Sequence, residues 1–356
     1  MSQQPMRISE TDLFDARVEG YLEEQEMIRR AVGEIPEQSL FQKIFYSSYF
    51  YLGLAGCIGA LVGWGCIEPF FDDRELGNRE ASHVAALMLF PVTAAAVGLF
   101  LGAAEGIICR NFLRALLCAA VGLGIGFAGG FISLFAGGIV FAIMSSIARE
   151  VMGNKRSPDG MPHGFALFIF IVGRAIAWSL AALPAGMGQG IALREKKVIW
   201  NGILGAVLGG LLGGMLFDPI DLMFKNHESA ASSRGVGLAI IGIMVGVFIG
   251  LVEQWTKTAW LLMRQGPLAG KQFVLYRQQT TIGSSPKADI YLFKDDAIEP
   301  QHALLHNRGG RFEIEDCGSR DGTYINGLPV KKQMLKAGDQ IVLGKTVLEF
   351  AFKEVN

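Results

Sequence analysis

The sequence predicts two structural classes in one chain: a glycine-rich bundle of six transmembrane helices, arranged as three tandem helical hairpins, and a C-terminal all-β sandwich. Three observations predict this. Apolar residues make up 51% of the 356 positions and charged residues only 18%, where an ordinary soluble domain carries about a quarter charged. Glycine fills 46 positions, about 13% against a usual 7% or so. Residues 271–356 then abandon long apolar runs for strand-like alternation broken by turn signals. The formal net charge of −1 gives no basic footprint for nucleic acid. Cys57, Cys66, Cys109, Cys118 and Cys317 form no CxxC pair, so neither a metal site nor a disulfide framework is expected.

In chain order, residues 1–43 read as a charged, amphipathic helical segment on the cytoplasmic side. Ser9 is its candidate cap, and Phe14, Val18, Tyr21, Ile28 and Val32 recur at helical spacing. Its polar opening argues against a cleavable secretory signal. Residues 44–262 hold the membrane region, with spans expected near 45–67, 84–108, 113–134, 165–190, 198–217 and 236–255, each near the 20 or so residues that cross a bilayer. The apolar run from Phe112 to Ala148 is long for one upright span. We expect a single span ending near residue 134, with 136–148 lying in the interface. Gly266-Pro267-Leu268-Ala269-Gly270 marks a linker over 263–270.

The hairpin expectation rests on an internal repeat. A shift of 84 places Gly102, Gly106, Arg110, Gly126, Gly129 and Gly130 on Gly186, Gly190, Arg194, Gly210, Gly213 and Gly214. A shift of 148 places Gly98, Gly102 and Glu105 on Gly246, Gly250 and Glu253, and a shift of 150 places Gly59 and Gly63 on Gly209 and Gly213. Small residues every four positions let backbones approach in lipid, where apolar burial does not drive helices together. Lysine and arginine near span ends favour one side, with eleven (Arg29, Arg30, Lys43, Arg110, Arg114, Arg194, Lys196, Lys197, Lys257, Arg264, Lys271) against seven (Arg74, Arg79, Arg149, Lys155, Arg156, Lys225, Arg234). That bias puts both termini in the cytoplasm of a multi-pass cell-membrane protein.

Ionisable groups inside spans are costly and invite a functional reading. Glu105, Gln189 and Glu253 occupy matching places under the repeat, and Arg174 sits well inside the fourth span. These polar candidates line a cation path on one reading. On the other, which we favour for the first three, they sit near the interface and pair with Arg110, Arg194 and Lys257 a turn away. For Arg174 the two readings stay balanced. Glu68 and Asp218, each before a proline, mark outer span ends as caps. His83, His163 and His227 lack metal-ligand spacing.

In the tail, Leu348, Phe350 and Phe352 alternate with Glu349, Ala351 and Lys353, and turns recur at Asn307–Gly310, Asp321-Gly322, Asn326-Gly327 and Gly338-Asp339. Ordered motifs run through it: Thr281-Ile282-Gly283, Ala288–Leu292, Ile298–Ala303, Asp316–Gly327, Gly338–Ile341 and Leu343-Gly344. In this order they resemble the forkhead-associated (FHA) domain, a β-sandwich that usually recognises phosphothreonine peptides. The resemblance covers roughly residues 272–353 and implies structural roles for Gly283, His302 and Ser319, with His302 buttressing the loops.

It also implies a partner-binding set at Ser284, Glu299, Arg320, Asp321 and Gly322, and here the sequence departs from the family. Where the family has an arginine that grips phosphate, Ser284 stands. Its phosphate-bonding serine is replaced by Glu299, and its ligand-holding asparagine by Asp321. A phosphothreonine carries about −1.5 to −2 charge, so Glu299 and Asp321 repel it, while Arg320 leaves an altered mode open. The expected function is an integral membrane protein presenting a degenerate FHA domain for protein–protein recruitment, with a partner that need not be phosphorylated. The alternative is a channel or transporter built from the hairpins and regulated by the tail. No nucleophile–base pair, P-loop or metal spacing appears, so no enzymatic activity, no cofactor and no nucleic-acid partner are expected. The lipid bilayer is a partner in either reading, and an oligomer is compatible with both.

Overall fold

The computed structural model describes residues 39–70, 79–153, 162–224 and 231–353. The helix expected over 1–43 and the position of His227 fall outside them, except for a short helix α1, Leu40–Phe45. Contacts divide the chain into a helical unit, 44–257, and a β unit beginning at Thr258.

Six long helices make up the first unit: α2 Ser48–Ile67, α3 Arg79–Ile108, α4 Phe112–Met152, α5 Phe165–Leu193, α6 Lys196–Phe224 and α7 Ala231–Thr256. All six contain a stretch long and apolar enough to cross a membrane. Each helix packs on the next, and α7 returns to α2, so the six close into a ring, with α3 also touching α5.

Glycine sets the helix spacing. A Cβ on Gly102 would lie 2.3 Å from the Cys118 carbonyl oxygen, and one on Gly186 would lie 2.4 Å from that of Gly202. Gly106 meets the Ala115 nitrogen at 2.5 Å, and Gly190 meets that of Ile199 at 2.4 Å. Gly59 and Gly63 lie on Val97 and Thr93, as Gly209 and Gly213 lie on Val245 and Ile241. Distances this short leave room for no side chain, so backbone touches backbone along the seams.

Two tight turns join helices in the same way. Arg110 and Arg194 adopt left-handed backbone, φ 51° and 56°, a position usually given to glycine after a helix. The amide of Asn111 donates to the Gly106 carbonyl and that of Glu195 to Gly190, which satisfies the helix-end acceptors. Asn111 also caps α4 by accepting from the Arg114 amide.

Three expectations need correction. The third long helix does not stop near residue 134: α4 is one helix of 41 residues, about 62 Å long at 1.5 Å per residue. Its second half packs on α5, because Gly137 lies on Ala177 and Gly173 lies on Met144, and just before it Ser133 donates to the Leu180 carbonyl. Residues 136–148 therefore pack on α5. Asp218 does not end a helix, since α6 accommodates Pro219 and continues to Phe224. Glu68 does close α2, and its carboxylate also pairs with Arg234 and accepts from the Trp64 indole.

The third correction concerns the domain boundary. Residues 263–270 are not a linker and the membrane region does not reach 262. Strand β1, Ala259–Gln265, lies between β2, Gln272–Val274, and β11, Thr346–Phe352, in a six-stranded sheet that continues through β10, Gln340–Leu343, β7, Thr323–Ile325, and β8, Leu328–Val330. Its side chains alternate, with Ala259, Leu261 and Met263 buried. The glycine-proline segment is the turn between β1 and β2, closed by the Gly270 amide on the Met263 carbonyl.

The second sheet orders β4, Ile290–Tyr291, β3, Gln279–Gly283, β5, Ala303–Arg308, β6, Arg311–Asp316, and β9, Lys332–Met334. Ile282, Leu305, Ile314, Ile341, Leu343, Leu348 and Phe350 are fully buried and make the sandwich core.

Candidate functional site

The loops following β3 and β6, together with the 299–302 segment, form the candidate partner-binding site. Gly283 ends β3 where a Cβ would lie 2.2 Å from the Pro300 carbonyl oxygen. Only glycine lets the two segments come this close. The Ser284 amide then donates to the Glu299 carbonyl at 2.9 Å. Ser284 and Glu299, fifteen residues apart in sequence, are thus neighbours in space.

His302 fixes the arrangement from below. It is fully buried, and its Nδ1 accepts from the Glu299 amide at 3.2 Å while Nε2 lies 3.1 Å from the Gly322 carbonyl oxygen. A carbonyl only accepts, so the ring carries its hydrogen on Nε2. One side chain therefore ties the Glu299 loop to the Gly322 loop. Gly322 itself has φ +72°, a left-handed position that suits glycine.

Asp316 organises the third loop. Its carboxylate accepts from the amides of Gly318 and Ser319 and from the hydroxyls of Ser319 and Thr323. The signal in sequence is an aspartate two residues before a glycine, the pattern of an Asx turn. Partial burial alone would raise its pKa, but hydrogen bonds from the Ser319 and Thr323 hydroxyls and the Gly318 and Ser319 amides outweigh it and hold the carboxyl below the usual aspartate value. A depressed native pKa stabilises the fold above the unfolded value near 3.9, and that contribution is lost as pH falls through the native value. Asp316→Asn is expected to lower the melting midpoint at neutral pH and to make it less steeply dependent on pH between about 5 and 2, read by thermal melts across that range.

At the rim, Arg320 is 88% exposed in its side chain and approaches Asp321 at 3.4 Å. So exposed a pair contributes little stability and leaves the guanidinium accessible. Partial burial and the neighbouring Asp316 and Glu315 charges push the Cys317 thiol up. Among the described residues no cluster of His, Cys, Asp or Glu could hold a metal.

An FHA-domain family model matches residues 280–344, which hold all of these loops. This chain carries an FHA domain. The Corynebacterium diphtheriae oxoglutarate dehydrogenase inhibitor is 40% identical over 90 residues, 25% of this chain and 62% of that protein. The glycogen accumulation regulator GarA of Mycolicibacterium smegmatis is 39% identical over 127 residues, 36% of this chain and 75% of that protein. The chain spans 62% and 65% of the lengths of the oxoglutarate dehydrogenase inhibitors from C. diphtheriae and C. efficiens. An FHA domain of Chlamydia trachomatis aligns with 28% identity and a TM-score of 0.26, over 27% of this chain and 99% of that one. The helical region is matched by no family model.

The polar candidates in the helical unit are distributed differently. Glu105 and Gln189, 84 positions apart, are in direct contact, with the Gln189 amide donating to the carboxylate at 2.8 Å. Arg114 of the following helix lies 3.6 Å from the same carboxylate. Glu253 instead accepts from the Ser48 hydroxyl at 2.7 Å. Arg174 lies over the rings of Phe141, Phe170 and Phe217 at 5.0–5.3 Å, one ring each from α4, α5 and α6. Each of these groups thus has a local partner that lowers the cost of burying it.

Proposed function

We propose that this chain is a membrane-embedded scaffold that presents its FHA domain on the cytoplasmic side to recruit a protein partner without requiring phosphorylation. One observation carries the reading: the Ser284 amide is bonded to the Glu299 carbonyl, so a hydroxyl and an acidic residue occupy adjoining positions where the family resemblance expects an arginine and a serine. A phosphate brought there meets an acid without the bidentate fork that favours it. Glu299, Arg320 and Asp321 instead make a mixed-charge rim suited to a polar protein surface.

The six apolar helices support membrane embedding, and the eleven-to-seven excess of basic residues supports cytoplasmic termini. The recurrence of the same glycine contacts and turn geometry at positions 84 apart supports a repeated hairpin as the origin of the ring. Ala182, Trp178, Leu238 and their neighbours pack together inside that ring, and Glu105 and Glu253 have bonded partners. These features favour an anchor over the transport alternative. The domain would act by binding and perform no catalysis.

The experiment is a titration of the full chain with a phosphothreonine peptide and its unphosphorylated twin, drawn from a partner captured with the domain. The wild type is expected to bind the two alike. The triple substitution Ser284→Arg, Glu299→Ser, Asp321→Asn is expected to favour the phosphopeptide by tenfold or more, about 1.4 kcal/mol.

A further inference from the structure

The outer face of the six-stranded sheet is covered. Side chains alternate along β10 and β11, and Ile341, Leu343, Leu348 and Phe350 turn into the sandwich. Val342 and Val347, which pair across the two strands, therefore turn outward. Both are nevertheless 0% exposed, and with Tyr324 packed on them they form a cluster of their own. The Gln340 side-chain oxygen on the same face is also shut off from water. Among its described residues the β unit holds two sheets and no helix, so none of its own elements supplies this cover.

The register divides the face into three rows. Val274, Trp260 and Ala351 make an apolar row, and Val347, Val342 and Tyr324 make another. Between them Gln272, Leu262, Glu349 and Gln340 make a mostly polar row, where Arg264 pairs with Glu349. One stretch of the chain repeats that order. At helical spacing Phe14, Val18, Tyr21, Ile28 and Val32 fall within an arc of about 80°, with the polar Gln25 in its middle. Val18 and Ile28, on either side of Gln25, stand about 15 Å apart along a helix, and the apolar rows stand about 14 Å apart along the strands. Residues 1–38 carry nine acidic and four basic side chains, whereas residues 258–356 carry eleven acidic and thirteen basic, so the two are opposite in net charge and attract. We infer that residues 9–32 form an amphipathic helix docked on this face through that stripe, so that the segment before the first long helix and the domain after the last hold each other. Ser284 and Glu299 belong to the other sheet's loops, and the docked helix leaves them open to a partner.

The test uses the full chain in detergent with the photo-crosslinking residue p-benzoylphenylalanine in place of Phe14 or of Tyr21, both already aromatic. A third protein carries it in place of Glu23, on the opposite side of the helix, and peptide mass spectrometry locates the adducts. Positions 14 and 21 are expected to crosslink within one chain to peptides from 258–276 and 323–352, with a yield about tenfold or more above that of position 23. Adding Val18→Glu and Ile28→Glu to the position-21 protein removes two buried apolar side chains and is expected to cut its yield about tenfold or more. Adducts of positions 14 and 21 on residues 44–257, adducts between two copies of the chain, equal yields from all three positions, or no adduct at all would each overturn the assignment.

Discussion

A fragment comprising residues 271–356 should fail to fold, whereas one beginning at Thr258 should give a dispersed NMR spectrum and a cooperative melt. The shorter fragment lacks β1, which is hydrogen-bonded on both sides, to β2 and to β11. Leu261 and Met263 are fully buried in that strand, and burial of each is worth about 1.5–3 kcal/mol. Losing them also strips cover from Leu348 and Phe350, their register partners on β11, and opens the β11 edge. The sum approaches the 5–15 kcal/mol or so that holds a whole domain together. The comparison matters in practice, because any partner search with the shorter fragment would sample an unfolded chain.

The glycine seams yield the second large effect. Gly202→Leu should lower the melting midpoint of the full chain in detergent strongly, by the equivalent of about 3 kcal/mol or more. The reason is geometric: a Cβ on Gly202 would lie 2.0 Å from the Gly186 carbonyl oxygen, on a backbone that cannot move without opening α5 from α6. Gly124→Leu is the matched control. A Cβ on Gly124 meets nothing within 4 Å, and the larger side chain has better helix propensity, so the midpoint should stay or rise. Equal losses in both variants would mean that the seams do not depend on close backbone approach.

Much of the architecture was legible because its signals are local. Apolar runs locate the six long helices, and the ordered motifs from Thr281 to Gly344 locate the sandwich. Spacing of glycines at four-residue intervals points to Gly102, Gly186 and Gly213 as contact points, and each does meet a neighbouring helix. Where the sequence misled, the deciding interaction was long-range. The turn residues Gly266-Pro267 read as a linker because the apolar run Ala259–Met263 of β1 shows no apolar–polar alternation, and its strand identity comes from β11, more than 80 positions away. Residues 136–148 look surplus to a bilayer until α5 supplies their partners Ala177 and Gly173.

The site residues divide along the same line. Gly283 and Gly322 carry backbone demands that sequence displays, and His302 ties the Glu299 loop to the Gly322 loop. Sequence shows Asp316 only as the start of an Asx turn, and the further donors from Ser319 and Thr323 converge on it once the loop is folded. Arg174 was a lone charge in sequence, and its three phenylalanine neighbours come from three different helices.

We propose that Ser284, Glu299 and Asp321 replace the phosphate clamp of the FHA scaffold. The most direct test is the ratio of affinities of the wild-type chain for a phosphothreonine peptide and the same peptide unmodified, measured by calorimetry at one salt concentration. A ratio within about threefold of one, less than 0.7 kcal/mol or so, is expected. A preference of tenfold or more for the phosphorylated form would contradict it.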